Sequence, residues 1–171
     1  MFSEKMQKAI EEQINAEIWS AYLYLSMSAY FQRENLPGFA NWMKIQWQEE
    51  LTHALKFFDF VHERGGKVYL KPIDKVQTEW NSPADAFADT LKHEKEVTAM
   101  IDNLVDLAVA EKDHATHNML QWYVAEQVEE EANASEILGH LERIGDKGHG
   151  LLMLDRELAA RIFVDATKSA E

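Results

Sequence analysis

The stretch WQEELTHALKFF, Trp47 to Phe58, decides the fold. Leu, Ala and Phe recur in it every three or four residues, which is the period of a helix with one buried face. Yet Glu50 and His53 stand three apart on that same face. A helix places a carboxylate and an imidazole in its core stripe only where something in the core compensates them, because uncompensated burial of a charge costs several kcal/mol.

Outward from this stretch, the same periodicity predicts four long helices. The first runs from an N-cap at Ser3 to about Arg33 and is broken by Asn35-Leu36-Pro37-Gly38. The second spans about Pro37 to Arg64 and stops at Gly65-Gly66. The third opens at Ser82-Pro83 and continues to about Ala110. The fourth starts after Asp113 and ends near Gly145, and a shorter fifth covers about Leu151 to Val164. Links of a few residues make the first two helices one antiparallel hairpin and the third and fourth another. Between the hairpins lies KVYLKPIDKVQTEWNS, long enough to cross the length of a bundle, with a short strand at KVYL as an option. The expected class is all-α: a four-helix bundle with one long crossover, plus a short C-terminal helix.

Stepped by threes and fours, each helix yields a stripe. The first is Met6, Ile10, Gln13, Glu17, Ser20, Tyr24, Met27, Phe31; the second is Phe39, Met43, Gln46, Glu50, His53, Phe57, Phe60. The third is Phe87, Leu91, Glu94, Thr98, Ile101, Val105, Ala108; the fourth is Leu120, Tyr123, Gln127, Glu130, Ala134, Ile137, Leu141, Ile144. All four are apolar towards the ends and ionisable near the middle. Glu17, Glu50, Glu94 and Glu130, with His53 and Gln127, should therefore meet in one layer. No Lys or Arg occupies the stripes at that level. The carboxylates must stay protonated or take metal cations, and two divalent ions would balance four of them. Glutamate oxygens with one imidazole suit first-row metals.

Composition agrees with a soluble helical protein. The 171 residues are 46% hydrophobic and 27% charged, enough for one domain with a sizeable core. The formal charge of −13 argues against nucleic-acid or anionic-membrane partners and suits a protein that attracts cations. Cysteine is absent, which removes thiolate metal sites and fits a cytoplasmic location. The N-terminus MFSEKMQKAIEEQ has no signal-peptide core, and no apolar run reaches the roughly 18 residues of a membrane span.

Over residues 1 to about 165 the chain closely resembles bacterial non-haem ferritins, members of the ferritin-like di-iron family. The segments that carry the resemblance are NAEIWSAYLYLS with Glu17 and Tyr24, WQEELTHA with Glu49, Glu50 and His53, LKHEKEVT with Glu94, and YVAEQVEEE with Glu126, Gln127, Glu129 and Glu130. The resemblance implies a ferroxidase centre in which Glu17, Glu50 and His53 bind one iron. Glu50 would bridge to a second, held by Glu94 and Glu130 with Gln127 close by. Glu49, Glu126, Glu129 and Glu130 would form a third iron site, and Tyr24 would be an electron donor. It further implies oxidation of Fe(II) by O2 or H2O2 and ferric storage in a homo-oligomeric, 24-subunit cage. Residues 1–165 form the domain and 166–171 a frayed tail. Asp113, His114 and His117 fall near the family's threefold channels, and Trp122 is read as packing.

Two departures sharpen the reading. The symmetric di-iron plan places Glu-x-x-His on two helices, whereas the fourth helix here offers Gln127-x-x-Glu130. The second metal thus lacks an imidazole and should be held less tightly, which suits a protein that passes iron on. Leu51 follows Glu50 where the haem-binding relatives carry a methionine, so no haem is expected. The competing classes are a di-iron enzyme acting on an organic substrate and a metal-free bundle with protonated glutamates.

Overall fold

A computed structural model describes residues 2–145 and 148–168. It is built from α1 (Glu4–Arg33), α2 (Pro37–Glu63), α3 (Pro83–Ala110), α4 (His114–Ile144) and α5 (Gly148–Leu158), with no strand among the described residues. Ser3, Ser82 and Asp113 cap α1, α3 and α4 by accepting from the backbone N–H three residues on. The C-termini of α1, α2 and α3 share one closure. Asn35, Gly65 and Lys112 adopt positive φ, and the next N–H returns to the carbonyl five residues back: Leu36 to Phe31, Gly66 to Val61, Asp113 to Ala108. These turns fold α1 on α2 and α3 on α4, the two closest backbone pairings, and α1 also meets α3.

The crossover runs the length of α1, fixed by polar side chains. Lys67 N–H donates to Gln7, Lys71 pairs with Glu12, Ser26 Oγ donates to the Gln77 carbonyl, and Arg33 reaches the Thr78 carbonyl at 2.6 Å and Glu79 at 2.9 Å. Trp80 anchors its end, buried with its indole N–H on Asp89. The KVYL strand is not formed. Its backbone lies beside a helix, and Tyr69 and Leu70 are exposed.

The core is divided. One apolar cluster holds Leu23, Met27, Phe31, Phe39, Met43, Phe87, Ile137 and Leu141. The other holds Met6, Ile10, Ile14, Phe57, Val61, Val97, Ile101, Leu120 and Tyr123. On every long helix the ionisable residues named from the sequence fall between the two. The α3 stripe is rotated from the expected one: Thr90, Val97 and Leu104 are buried, while Leu91, Thr98 and Val105 sit at its edge. A step of three or of four from Phe87 is equally regular in sequence, and only packing against α4 and α1 chooses between them. Phe60 is likewise partly buried, with Val61 inside.

The fifth helix differs most from expectation: it starts at Gly148 and stops at Leu158 rather than spanning Leu151 to Val164. Asn41 of α2 ends it by donating to the carbonyls of Leu158, Ala159 and Arg161 at 3.3, 3.4 and 3.0 Å. In return α5 caps α2, whose own N-cap Leu36 offers no side-chain acceptor. Asp155 Oδ1 accepts from Gly38 N–H at 2.8 Å and Phe39 N–H at 3.0 Å. A Cβ on Gly38 would lie 1.6 Å from the Asp155 carbonyl oxygen, so only glycine permits this approach. Beyond α5, Asp165 accepts from Thr167 N–H and Oγ1, and the rest of the tail expected to fray, residues 169–171, lies outside the described residues. Asp155→Ala should lower unfolding free energy by about 1–2 kcal/mol, the usual cost of losing a helix cap. Chemical denaturation of the wild type and the variant measures it, and an unchanged midpoint would show that α5 does not hold α2.

Candidate metal centre

Glu17 on α1, Glu50 and His53 on α2, Glu94 on α3, and Gln127 and Glu130 on α4 are all buried, the four carboxylates at 1%, 2%, 1% and 4% exposure. Glu17, Glu50 and His53 each offer a ligand atom within 4.8 Å of the others, and so do His53, Glu126 and Glu130. His53 joins the two groups: Nδ1 lies 3.5 Å from Glu50 Oε2 and Nε2 lies 3.7 Å from Glu126 Oε1. Glu94 is tied in by its partners. Tyr24 OH donates to its Oε1, and Gln127 Nε2 donates to its Oε2 at 3.2 Å. Gln127 therefore presents its amide N–H to a carboxylate, acting on Glu94 as a donor.

Around these groups stands a shell the stripes contained but whose role the sequence left unassigned. Gln13 donates to Glu17 Oε1 and Gln46 to Glu130 Oε2, each at 2.8 Å. Tyr123 donates to the His53 carbonyl at 2.8 Å and stacks on Phe57, while Trp122 packs edge-on to the imidazole at 5.4 Å between centroids. His93 was missed altogether because it is off the stripe. It accepts or donates at Ser20 Oγ across 2.8 Å and packs against Trp19 and Tyr24. Burial pushes it down to about 4, so it is neutral at physiological pH.

The electrostatics are those of a site short of positive charge. Burial pushes Glu94 up to about 7 and, with Glu94 facing it, Glu130 up to about 8. Burial lifts Glu50 well above the usual carboxylate range, against the pull of His53. Burial alone would lower His53, but Glu126 and Glu50 outweigh it and hold the imidazole well above 6.5. Burial and the neighbouring Glu94 raise Tyr24, which stays a phenol. After this one imidazole and the amides are spent, Glu17 Oε2 and Gln46 Oε1 remain buried with no hydrogen-bond partner. An orphaned buried acceptor costs about 1–3 kcal/mol. Cations bound by the carboxylates would remove that cost, so the donor set fits oxygen-preferring metal ions with one nitrogen ligand.

The outer carboxylates are less gathered. Glu126 faces His53 and Glu130, whereas Glu129 is exposed. Glu49 is occupied by Arg161, whose Nη2 lies 2.6 Å from its Oε2. Asp113 is engaged structurally, as the α4 cap and as a two-point partner of Arg64 at 3.0 and 3.2 Å. His114 is exposed and His117 partly buried beside it. Among the described residues no helix is long and apolar enough to cross a membrane.

The acids hold their protons to higher pH in the folded chain than unfolded, so the metal-free protein binds more protons between about pH 4.5 and 8. Their contribution to stability is complete below about 4.5 and is lost as pH rises through 8. Thermal unfolding of the metal-free protein should thus shift down by several degrees from pH 6 to 8, and Zn(II), which binds the deprotonated ligands, should flatten the profile. A metal-free profile that rises over that range would show that these acids are ionised and compensated otherwise.

Known proteins are similar to this chain in sequence and fold. The sequence profile of the ferritin-like domain family matches residues 7–144. A bacterial non-heme ferritin of Bacteroides fragilis is 49% identical over 161 residues, covering 94% of this chain and all of that one. One from Staphylococcus epidermidis is 39% identical over 163 residues, covering 95% and 98%. Among solved structures, a closed form of the Archaeoglobus fulgidus ferritin engineered by site-directed mutagenesis superposes with a TM-score of 0.95 at 56% identity, covering 96% of this chain and 100% of that one. The open-pore ferritin of the same hyperthermophilic archaeon superposes at 0.94 and 56% identity, covering 95% and 99%.

Proposed function

The chain belongs to the ferritin family, and we propose that its bundle centre is a ferroxidase site that oxidises Fe(II) for storage as ferric mineral inside a 24-subunit cage in the cytoplasm. The observation that supports this most is the buried carboxylate layer with one imidazole and an orphaned Glu17 oxygen. Iron is the substrate. Glu17, Glu50 and His53 take one Fe(II), and Glu50, Glu94 and Glu130 the next. Gln127 and Tyr24 orient Glu94 from two sides. Glu49, Glu126, Glu129 and Glu130 take a third ion on the outward side of the layer.

Binding releases the protons that Glu94 and Glu130 hold near neutral pH. Hard carboxylate oxygens favour Fe(III) over Fe(II), which lowers the potential of the bound iron. Two Fe(II) then give one electron each to O2, which takes two protons and leaves as H2O2; H2O2 as oxidant takes two electrons and two protons and leaves as water. Complete reduction of O2 to water needs two more electrons, which the third iron and Tyr24 would supply. Tyr24 would pass its proton to Glu94, to which its hydroxyl already donates. With no imidazole on α4, the second iron is the more readily released, as onward transfer to a mineral requires.

Aerobic titration of the metal-free assembly with Fe(II), following ferric absorbance and soluble iron, tests this. Oxidation should continue far past three irons per chain with iron in solution. Glu17→Ala or His53→Ala should slow the initial phase by on the order of 10–100-fold, the scale on which metal sites respond to lost support. Saturation at two or three irons would retain the centre and remove storage.

A further inference from the structure

We propose that Arg161 is a built-in counter-cation for the outer carboxylates: its guanidinium takes the Glu49 oxygen that a third metal ion needs, so ion binding there and docking of the segment after α5 exclude one another. This rests on the third site of the preceding reading and adds a device that regulates it. The contact is a constructed one. Arg161 lies over the Trp42 ring, 4.5 Å from guanidinium carbon to centroid, and its Nη1 donates to the Trp42 carbonyl at 3.4 Å. Asn41 holds the Arg161 carbonyl at 3.0 Å. The charged pair at 2.6 Å is only 21% and 17% exposed on the two sides. Such short, partly dried guanidinium–carboxylate bonds are among the stronger polar contacts in proteins.

The anchors lie one helical turn apart and more along α2. Gly38 and Phe39 are fastened to Asp155, Asn41 to the end of α5 and to Arg161, and Trp42 and Glu49 to Arg161. From there the chain continues along α2, where Asp165, Thr167 and Lys168 border a groove of about 400 Å³ with Thr52, Leu55 and Asp59. The strap therefore reaches Glu49 from a docked helix and is presented to it at little entropic cost. An ion entering between Glu49 and Glu126 must displace a monovalent cation already seated. Its apparent affinity is the intrinsic affinity multiplied by the fraction of time the latch is open. When the ion departs, Arg161 re-pairs with Glu49, so the outer site clears rather than retaining its cargo.

The experiment is calorimetric titration of the assembled, metal-free protein with Zn(II), comparing the wild type with Arg161→Met, which keeps the stem over Trp42 but removes the charge, Arg161→Lys, and Glu49→Gln. Hydrogen exchange of residues 161–168 is followed in parallel on the wild type. The weakest of three Zn(II) per chain should bind about tenfold tighter in Arg161→Met. It should be near wild type in Arg161→Lys and lost in Glu49→Gln, with the two tighter ions unchanged throughout. Protection of residues 161–168 should fall when the third equivalent of Zn(II) binds. Unchanged or weaker third-ion binding in Arg161→Met, or undiminished protection with the third ion bound, overturns the latch. Should the methionine variant fail to assemble, the exchange measurement on the wild type decides alone. Two ions bound and no third in any form overturns the latch and leaves the ferroxidase centre standing, whereas no Zn(II) bound at all overturns both.

Discussion

Everything in this fold is arranged around a deficit of positive charge at mid-height. Four helices each bring a carboxylate to one dry layer, and the described residues meet them with one imidazole, three glutamine amides and the Tyr24 hydroxyl. Protons fill the gap when nothing else does, which is why Glu94 and Glu130 titrate near neutrality. A metal ion is the alternative filler, and under the proposed function iron takes the place of those protons. The long crossover serves the same end. By lacing itself along α1 it lets two hairpins stand side by side with their carboxylates at one level, without a loop through the centre.

The asymmetry of the layer is as informative as its content. On α2 the residue three positions past the glutamate is His53; on α4 the residue three positions before Glu130 is Gln127. An imidazole binds metal as a neutral ligand, whereas the Gln127 amide turns its N–H towards Glu94. Under the proposed function one side of the layer would hold an ion and the other let it go.

The stripes of α1 and α4 were legible almost throughout, because Glu17 and Glu130 each continue a row of apolar positions at clear helical spacing, although Glu130 lies within a run of three glutamates and Ile144 at the end of its stripe is only partly buried. Glu17, Glu50, Glu94 and Glu130 could be placed together because helix midpoints of similar length must coincide. The α3 stripe was not fully legible, since Thr90 and Leu91 are both acceptable one turn from Phe87, and only the neighbouring helices distinguish them. Nor was the end of α5. Its length is set by Asn41, a residue more than a hundred positions away whose amide donates to the carbonyls at the helix's end. Glu49 is the sharpest case. From sequence it is an acid beside an acid, and its engagement by Arg161 depends on where the chain goes after α5. His93 gave no signal at all, as its burial comes from Trp19 and Ser20 on another helix.

The division of the core into two apolar clusters has a consequence for how the bundle holds together as a unit. Cooperative unfolding requires that loss of packing at one end be felt at the other. Here, among the described residues, the clusters meet across a polar band of buried carboxylates, His53, glutamine amides and the Tyr24 and Tyr123 hydroxyls, which is short of positive charge without a cation. The metal-free bundle consequently approaches two half-cores strung on four continuous helices, each able to open locally at a cost below that of global unfolding. An ion held at the band, as proposed, would tie all four helices at one point and weld the halves into one cooperative body. The cargo in transit would then also be, for as long as it stayed, the keystone of the protein that carries it.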